Sequence, residues 1–249
     1  MDSVASIAVK GANVMRNLAL VLMAALTLSG CAGMENLDLN SVLGGNAPLN
    51  ENTVAQGLKE ALSIGTQRAA ARVGGVDGYL GNTLLRIALP EGLQDVTGAL
   101  RAVGMGTKVD ELEVAMNRAA EQAAGEAVTL FGDAIRGMTV ADAWGILRGH
   151  DTAATDYFRA RLGASLEQRY QPIVENKLRT VGGYADYEAL VGKLQSLPLV
   201  ETPDLDLVGY VTDRALDGLF RELATEEQKI RQDPLARTTQ LLQKVFAAK

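Results

Sequence analysis

The stretch VGYVTDRALDGLFREL, residues 208–223, places Val208, Val211, Ala215, Leu219 and Leu223 at intervals of three and four, while Asp213, Arg214, Asp217 and Arg221 fall off that line. Such intervals keep side chains on one face of an α-helix, whereas a half-buried strand alternates at every second residue. The stretch therefore predicts a long helix with one apolar stripe, and the stripe needs partners. Just upstream, Thr202-Pro203-Asp204 offers a cap, a first-turn proline and an acid for its start. Downstream, Asp233-Pro234 opens a last helix carrying Leu241, Leu242, Val245 and Phe246.

The same period recurs towards the N-terminus. From Asn50, the residues Val54, Leu58, Ala61, Leu62 and Gly65 share one helical face. Gly74-Gly75, Gly78 and Gly81-Asn82 then mark turns, and the run LLRIAL, residues 84–89, closed by Pro90, is the place where a short strand is admitted. A short helix is expected over 91–103, bracketed by Pro90 and by Gly104 and Gly106. Thr107 and Asp110 have capping-box spacing for a long helix through Leu112, Ala115, Met116, Ala119 and Ala123, continuing towards Arg136 past Gly125. Its acidic cluster Asp110, Glu111 and Glu113 reads as compensation of the helix dipole.

Thr139 and Asp142 repeat the capping spacing before a short helix with Trp144, Ile146 and Leu147, and Trp144 is assigned to the core. RGHDTAATDYF, residues 148–158, then reads as a helix stop followed by a helix start. Gly149 ends one helix, Asp151 or Thr152 caps the next, and Tyr157 and Phe158 lead its apolar face inward through Leu162, Leu166, Tyr170 and Val174. Pro172 is a kink point, Gly182-Gly183 a stop, and a further helix covers 184–196. The expected fold is all-α: a single irregular bundle of about seven to eight helices over residues 50–249.

Composition agrees. Across 249 residues, 47% are hydrophobic but only 4% aromatic, so the apolar mass suits helices better than sheets. A net charge of -6 argues against a nucleic-acid partner, because phosphate attraction needs a basic face. The chain has one histidine, His150, beside Asp151, Thr152, Thr155 and Tyr157, which together form a candidate binding or helix-cap cluster. Zinc HExxH sites, paired His-Asp phosphohydrolases and di-iron bundles each need at least two histidines. No nucleophile elbow or phosphate loop is present either. No metal, cofactor or enzymatic activity is expected, although chemistry by Asp151, Thr152, Thr155 and Tyr157 alone remains as a third reading.

The N-terminus has its own logic. Arg16 precedes the apolar run 18–28, which ends in Ser29-Gly30-Cys31, the layout of an export signal too short to span a bilayer. Met15-Arg16 begins a more compact leader than Met1 does. LSGC, residues 28–31, resembles a bacterial lipobox, which implies that Cys31 is lipid-modified and becomes the mature N-terminus. Cys31 is the sole cysteine, so no internal disulfide can form. Residues 1–30 are thus the expected leader, and 31–49 the lipidated cysteine with a Gly-, Asn- and Ser-rich tether reaching roughly 25 Å. Ala32 after the cysteine, by resemblance to lipoproteins of Gram-negative bacteria, implies the outer membrane and its periplasmic face, with the periplasm or the inner membrane as alternatives.

Four blocks resemble a bacterial family known as domain of unknown function 4197: YLGNTLLRIALP (79–90), DELEVAMNRAAEQA (110–123), MTVADAWGILRGHDTAATDYF (138–158) and ALDGLFRELATEEQKIRQDP (215–234). The resemblance covers the chain from Val54 to Phe246. It implies a helical exported domain, commonly behind a lipoprotein signal, with no catalytic residues to carry over. Residues 151–155 fit the family pattern whereas the position of His150 varies in it, so the resemblance implies no histidine-based mechanism. The expected role is an anchored module that binds a protein or envelope component, with a carrier of a small apolar ligand or lipid in an inter-helix cavity as the alternative.

Mass spectrometry of the membrane fraction is expected to find a mature N-terminus at Cys31 carrying acyl mass, and Cys31→Ser is expected to block that maturation. An intact leader, or cleavage elsewhere, contradicts the lipobox reading.

Overall fold

The computed structural model describes residues 50–196, 206–233 and 243. Its helices are α1 (Glu51–Gly74), α2 (Glu91–Gln94), α3 (Thr97–Ala102), α4 (Gly106–Ala123), α5 (Ala127–Gly137), α6 (Val140–Arg148), α7 (Ala153–Thr180), α8 (Gly183–Gln195) and α9 (Leu207–Gln232). A 3-10 turn, Ala124–Glu126, joins α4 to α5. The all-helical bundle expected is the one that forms, and no strand occurs among the described residues.

Helix α9 lies at the centre, packed against α7, α1 and α4. Its stripe Val211, Ala215, Leu219 and Leu223 is buried as expected, and Val208 is half-buried. Thr212, Leu216, Gly218 and Phe220 are buried too, so α9 is covered on more than one side. Phe220 meets Phe131 of α5 edge-on at 6.3 Å, and Phe131 meets Phe158 of α7 at 5.1 Å, which joins three helices through one aromatic cluster. Gly218 leaves room for the Tyr79 ring: a Cβ there would lie 2.4 Å from Tyr79 Cε1. The Tyr79 hydroxyl donates to Ala215 O at 2.5 Å, and burial pushes this phenol well above its ordinary pKa.

The segment admitted as a strand begins in a turn, with Arg86 N donating to Asn82 O at 2.8 Å, and runs on to Pro90 with no strand beside it among the described residues. Leu85, Ile87 and Leu89 point into the core and Leu84, Arg86 and Ala88 are exposed, the alternation that suggested a strand. Side chains take the place of the missing ladder. Asn117 of α4 accepts from Ile87 N at 2.9 Å and donates to Ile87 O at 2.8 Å. Tyr210 donates to Ala88 O at 2.9 Å, and Gln94 donates to Leu89 O. Backbone groups near a core need partners of some kind, and one buried amide supplies both bonds that a neighbouring strand would have made.

Several local expectations are corrected. Thr107 and Asp110 do not form a capping box, because α4 begins earlier, at Gly106, with no side-chain cap. Asp110 turns to Arg101 of α3, whose guanidinium holds the carboxyl below its usual range. The helix expected over 91–103 is divided into α2 and α3, with the Thr97 hydroxyl donating to Leu93 O at 2.8 Å across the break. The long helix does not run unbroken to Arg136, since the 3-10 turn around Gly125 interrupts it. Trp144 is half-buried, with Arg148 4.6 Å above its ring. Helix α7 passes through Pro172 as one element of 28 residues.

Other expectations hold. Thr139 and Asp142 form a reciprocal capping box on α6, and α1 starts where its pattern does, with Asn50 found to cap it by accepting from Thr53 N at 2.7 Å. The cap expected at Thr202-Pro203-Asp204 and the helix expected from Pro234 lie outside the described residues, and α9 as described is capped by Asp206, which accepts from Gly209 N at 2.9 Å.

Leu219, fully buried on the central helix, is the sharpest test of this packing. Leu219→Asp is expected to cost on the order of 4 kcal/mol in chemical denaturation, because an unpaired carboxylate is buried without compensation. A loss similar to that of an exposed substitution contradicts the central position of α9.

Candidate functional site

Helix α6 ends at Arg148 and α7 begins at Ala153, so one set of orphan carbonyls and one set of orphan N–H groups fall within a few residues. Gly149 permits the tight exit, since a Cβ there would lie 2.5 Å from the Ala153 Cβ. Neither expected cap serves α7 with its side chain. Thr152 occupies the cap position but makes no side-chain cap bond, and the Asp151 carboxylate instead accepts from Gln232 at 3.4 Å.

The cap comes from the other end of the chain. Glu227 of α9 accepts from Ala154 N with one carboxylate oxygen and from Thr155 N with the other, both at 2.9 Å, and from the Thr155 hydroxyl at 2.9 Å. Four residues on, Arg231 pairs with Glu227 at 2.8 Å and donates to Ile146 O at 2.8 Å and Leu147 O at 3.4 Å. One turn of α9 thus places an anion at the positive end of α7 and a cation at the negative end of α6, the favourable orientation for both helix dipoles. The two side chains are 6% and 4% exposed, so the pair is shielded from solvent.

This clasp fixes the wall of an open groove of about 530 Å³. One side is the face of α7 carrying Thr152, Thr155, Asp156 and Arg159, spaced i, i+3, i+4, i+7. The opposite side is the matching face of α9, with Arg214, Asp217, Gly218 and Arg221. The segment from Leu84 to Ile87 closes a third side. Arg159 bridges the groove to Asp217 at 3.1 Å and lies 4.4 Å over the Phe220 ring. Arg86 is paired with Glu113 at 2.6 Å, and Arg221 donates to Leu84 O at 3.2 Å.

His150 sits at the rim. Its Nε2 lies 2.7 Å from Asp156 Oδ2, rather than against Asp151, and the Thr152 hydroxyl donates to the same oxygen at 3.3 Å. The hydroxyl is therefore directed at the carboxylate and not at the imidazole, so the three groups do not form a nucleophile-base pair. The arrangement ties the loop to the first turn of α7. Tyr157 points away from the groove, against Phe158 at 5.5 Å, with its hydroxyl buried and its phenol pushed up by burial. Of the cluster read from the sequence, Thr152 and Thr155 line the groove, while Asp151 and Tyr157 do not. Cys31 lies outside the described residues.

Among the described residues no group of three or more metal-ligating side chains comes together, and no helix is long and apolar enough to cross a membrane. The apolar gap between α1, α6 and α9, lined by Leu58, Leu62, Ile146 and Leu223, has a volume of about 20 Å³, room for a single water.

Residues 48–247 match the family described as "Protein of unknown function (DUF4197)". The chain belongs to this family. Neither the curated proteins nor the solved structures contain a match. Family membership covers α1 through α9, and therefore both the clasp and the groove.

The residues not found from the sequence are Glu227, Arg231 and the arginines of the groove. A signal for Glu227 was present. Continued past Leu219 and Leu223, the apolar stripe of α9 lands on Glu226 and Glu227 before Ile230, so core-facing register is occupied by carboxylates. A carboxylate in that register needs a buried partner.

Glu227→Ala is expected to destabilise the protein by about 3–5 kcal/mol, since it strands a buried guanidinium and two backbone N–H groups. Thr152→Ala and His150→Ala are expected to stay within about 1 kcal/mol, as no cap bond is lost and the His150 pair is exposed. Thermal and urea melts of the three variants side by side check this. A Thr152 variant worse than the Glu227 variant reverses the assignment.

Proposed function

We propose that this protein is a lipoprotein anchored through Cys31, whose helical domain stands on a tether at the periplasmic face of the outer membrane and binds a protein or other envelope component. It is a binding module and not an enzyme. The observation that carries the binding part is the groove itself: two helical faces and the segment from Leu84 to Ile87 enclose an open space of about 530 Å³, held in place by a buried clasp. Its polar groups are arginines, aspartates and threonine hydroxyls, the composition of a recognition surface rather than of a proton-transfer site. The leader and the LSGC sequence support the anchoring and the location.

The carrier reading has less behind it. A gap of about 20 Å³ does not admit an acyl chain, and the larger groove is open and charged.

A photo-crosslinking residue in place of Leu84, which is 72% exposed at the groove edge, tests the proposal in intact cells. Leu84 is expected to yield a discrete adduct that the same probe at Arg169, exposed on α7 outside the groove, does not. No adduct from Leu84, or the same adducts from both positions, contradicts it.

A further inference from the structure

The groove is basic on a chain that is acidic overall. Four arginines line it, Arg86, Arg159, Arg214 and Arg221, against two aspartates, Asp156 and Asp217, while the whole chain carries -6. The pairing is uneven. Asp217 is taken by Arg159, Asp156 by His150 and Thr152, and Arg86 by Glu113. Arg214 and Arg221 have no carboxylate among the described residues: Arg214 lies 5.6 Å over the Tyr210 ring, and Arg221 reaches only the Leu84 carbonyl. Both are exposed, and neither guanidinium is neutralised by an anion among the described residues.

Their spacing says what would fit. Seven residues apart on one helix, they stand on the same face about 10 Å from each other, two turns at ~1.5 Å per residue. In an extended chain of polyproline II form, with three residues per turn at ~3.1 Å each, two acidic side chains three positions apart share a face and span about the same distance. Between the arginines, Gly218 adds no side chain and the Asp217 carboxylate is held by Arg159, whose guanidinium covers the Phe220 ring, while Leu84 offers an apolar edge. A guanidinium matches a carboxylate bidentately, and Arg stacked on an aromatic ring is pre-set for it.

We infer that the groove binds an acidic peptide segment in extended form, with carboxylates about three residues apart held by Arg214 and Arg221. This rests on the binding-module reading above and names its ligand. It places the occupant along α9, between α7 and the segment at Leu84, and makes binding salt-sensitive, since both guanidiniums are exposed.

The test uses the full chain purified in detergent micelles. Fluorescence anisotropy is measured with a labelled dodecapeptide bearing glutamates at every third position, with the same peptide carrying glutamines, and in competition with inorganic phosphate and with phosphatidylglycerol vesicles. The glutamate peptide is expected to bind and the glutamine peptide not. The double variant Arg214→Ala/Arg221→Ala should weaken binding by tenfold or more at unchanged melting temperature, as for the loss of two charge-assisted pairs, whereas Arg169→Ala should not. Undiminished binding in the double variant overturns the inference, as does a glutamate peptide that fails to bind or vesicles that bind in its place. If the Leu84 adduct forms in cells and survives the double variant, the ligand assignment falls while the binding-module reading stands. If no adduct forms at all, the reading itself falls.

Discussion

The carboxylate of Glu227 is the point on which this structure turns. Two helices meet at a break of a few residues, and each leaves backbone groups that must be satisfied. Local side chains do not do so on the α7 side, because Thr152 and Asp156 are engaged with each other and with His150. A distant carboxylate does, and its own charge is balanced by Arg231, which serves α6. The position of α7 against α9 is therefore set by hydrogen bonds of defined direction as well as by the aromatic packing of Phe131, Phe158 and Phe220. Apolar contact alone tolerates sliding; a bidentate cap does not.

The same device recurs at other irregular stretches and between helices. Asn117 pairs with both polar groups of Ile87, Glu121 accepts from Tyr79 N at 3.2 Å and Leu80 N at 3.3 Å, and Glu121 is in turn held by Arg118 at 2.6 Å. Arg72 at the end of α1 pairs with the buried carboxylates Glu222 and Glu226, the latter at 2.9 Å. A chain with few aromatic residues fills its core with Ala and Leu and fixes its loops with buried polar side chains from neighbouring helices. Such groups specify one arrangement because each is costly to leave unpaired.

How much of this is legible in the sequence follows from what each signal encodes. The stripe of α9, the face of α1 and the Thr139-Asp142 box are written in spacing within one helix, and local spacing is what a reader of the sequence possesses. The segment 84–89 shows the limit from one side: its alternation is that of a strand, yet whether a ladder exists depends on a partner that alternation does not reveal. Asp151 and Thr152 show it from the other side. Both are suitable cap residues at the right place, and the cap is made by a residue more than seventy positions away. The groove could not be read at all, since Arg159, Arg214 and Arg221 look like any solvated helix face until α7 and α9 are set side by side.

Amide hydrogen exchange at Ala154 and Thr155 tests the clasp most directly. First-turn amides of a helix ordinarily exchange fast, because they lack intrahelical partners. If Glu227 caps them as described, both exchange only with global unfolding, and Glu227→Gln moves them, and the Ile146–Leu147 end of α6 with them, into fast local exchange. Rapid exchange of Ala154 and Thr155 in the unaltered protein, or protection that Glu227→Gln leaves intact, contradicts the account.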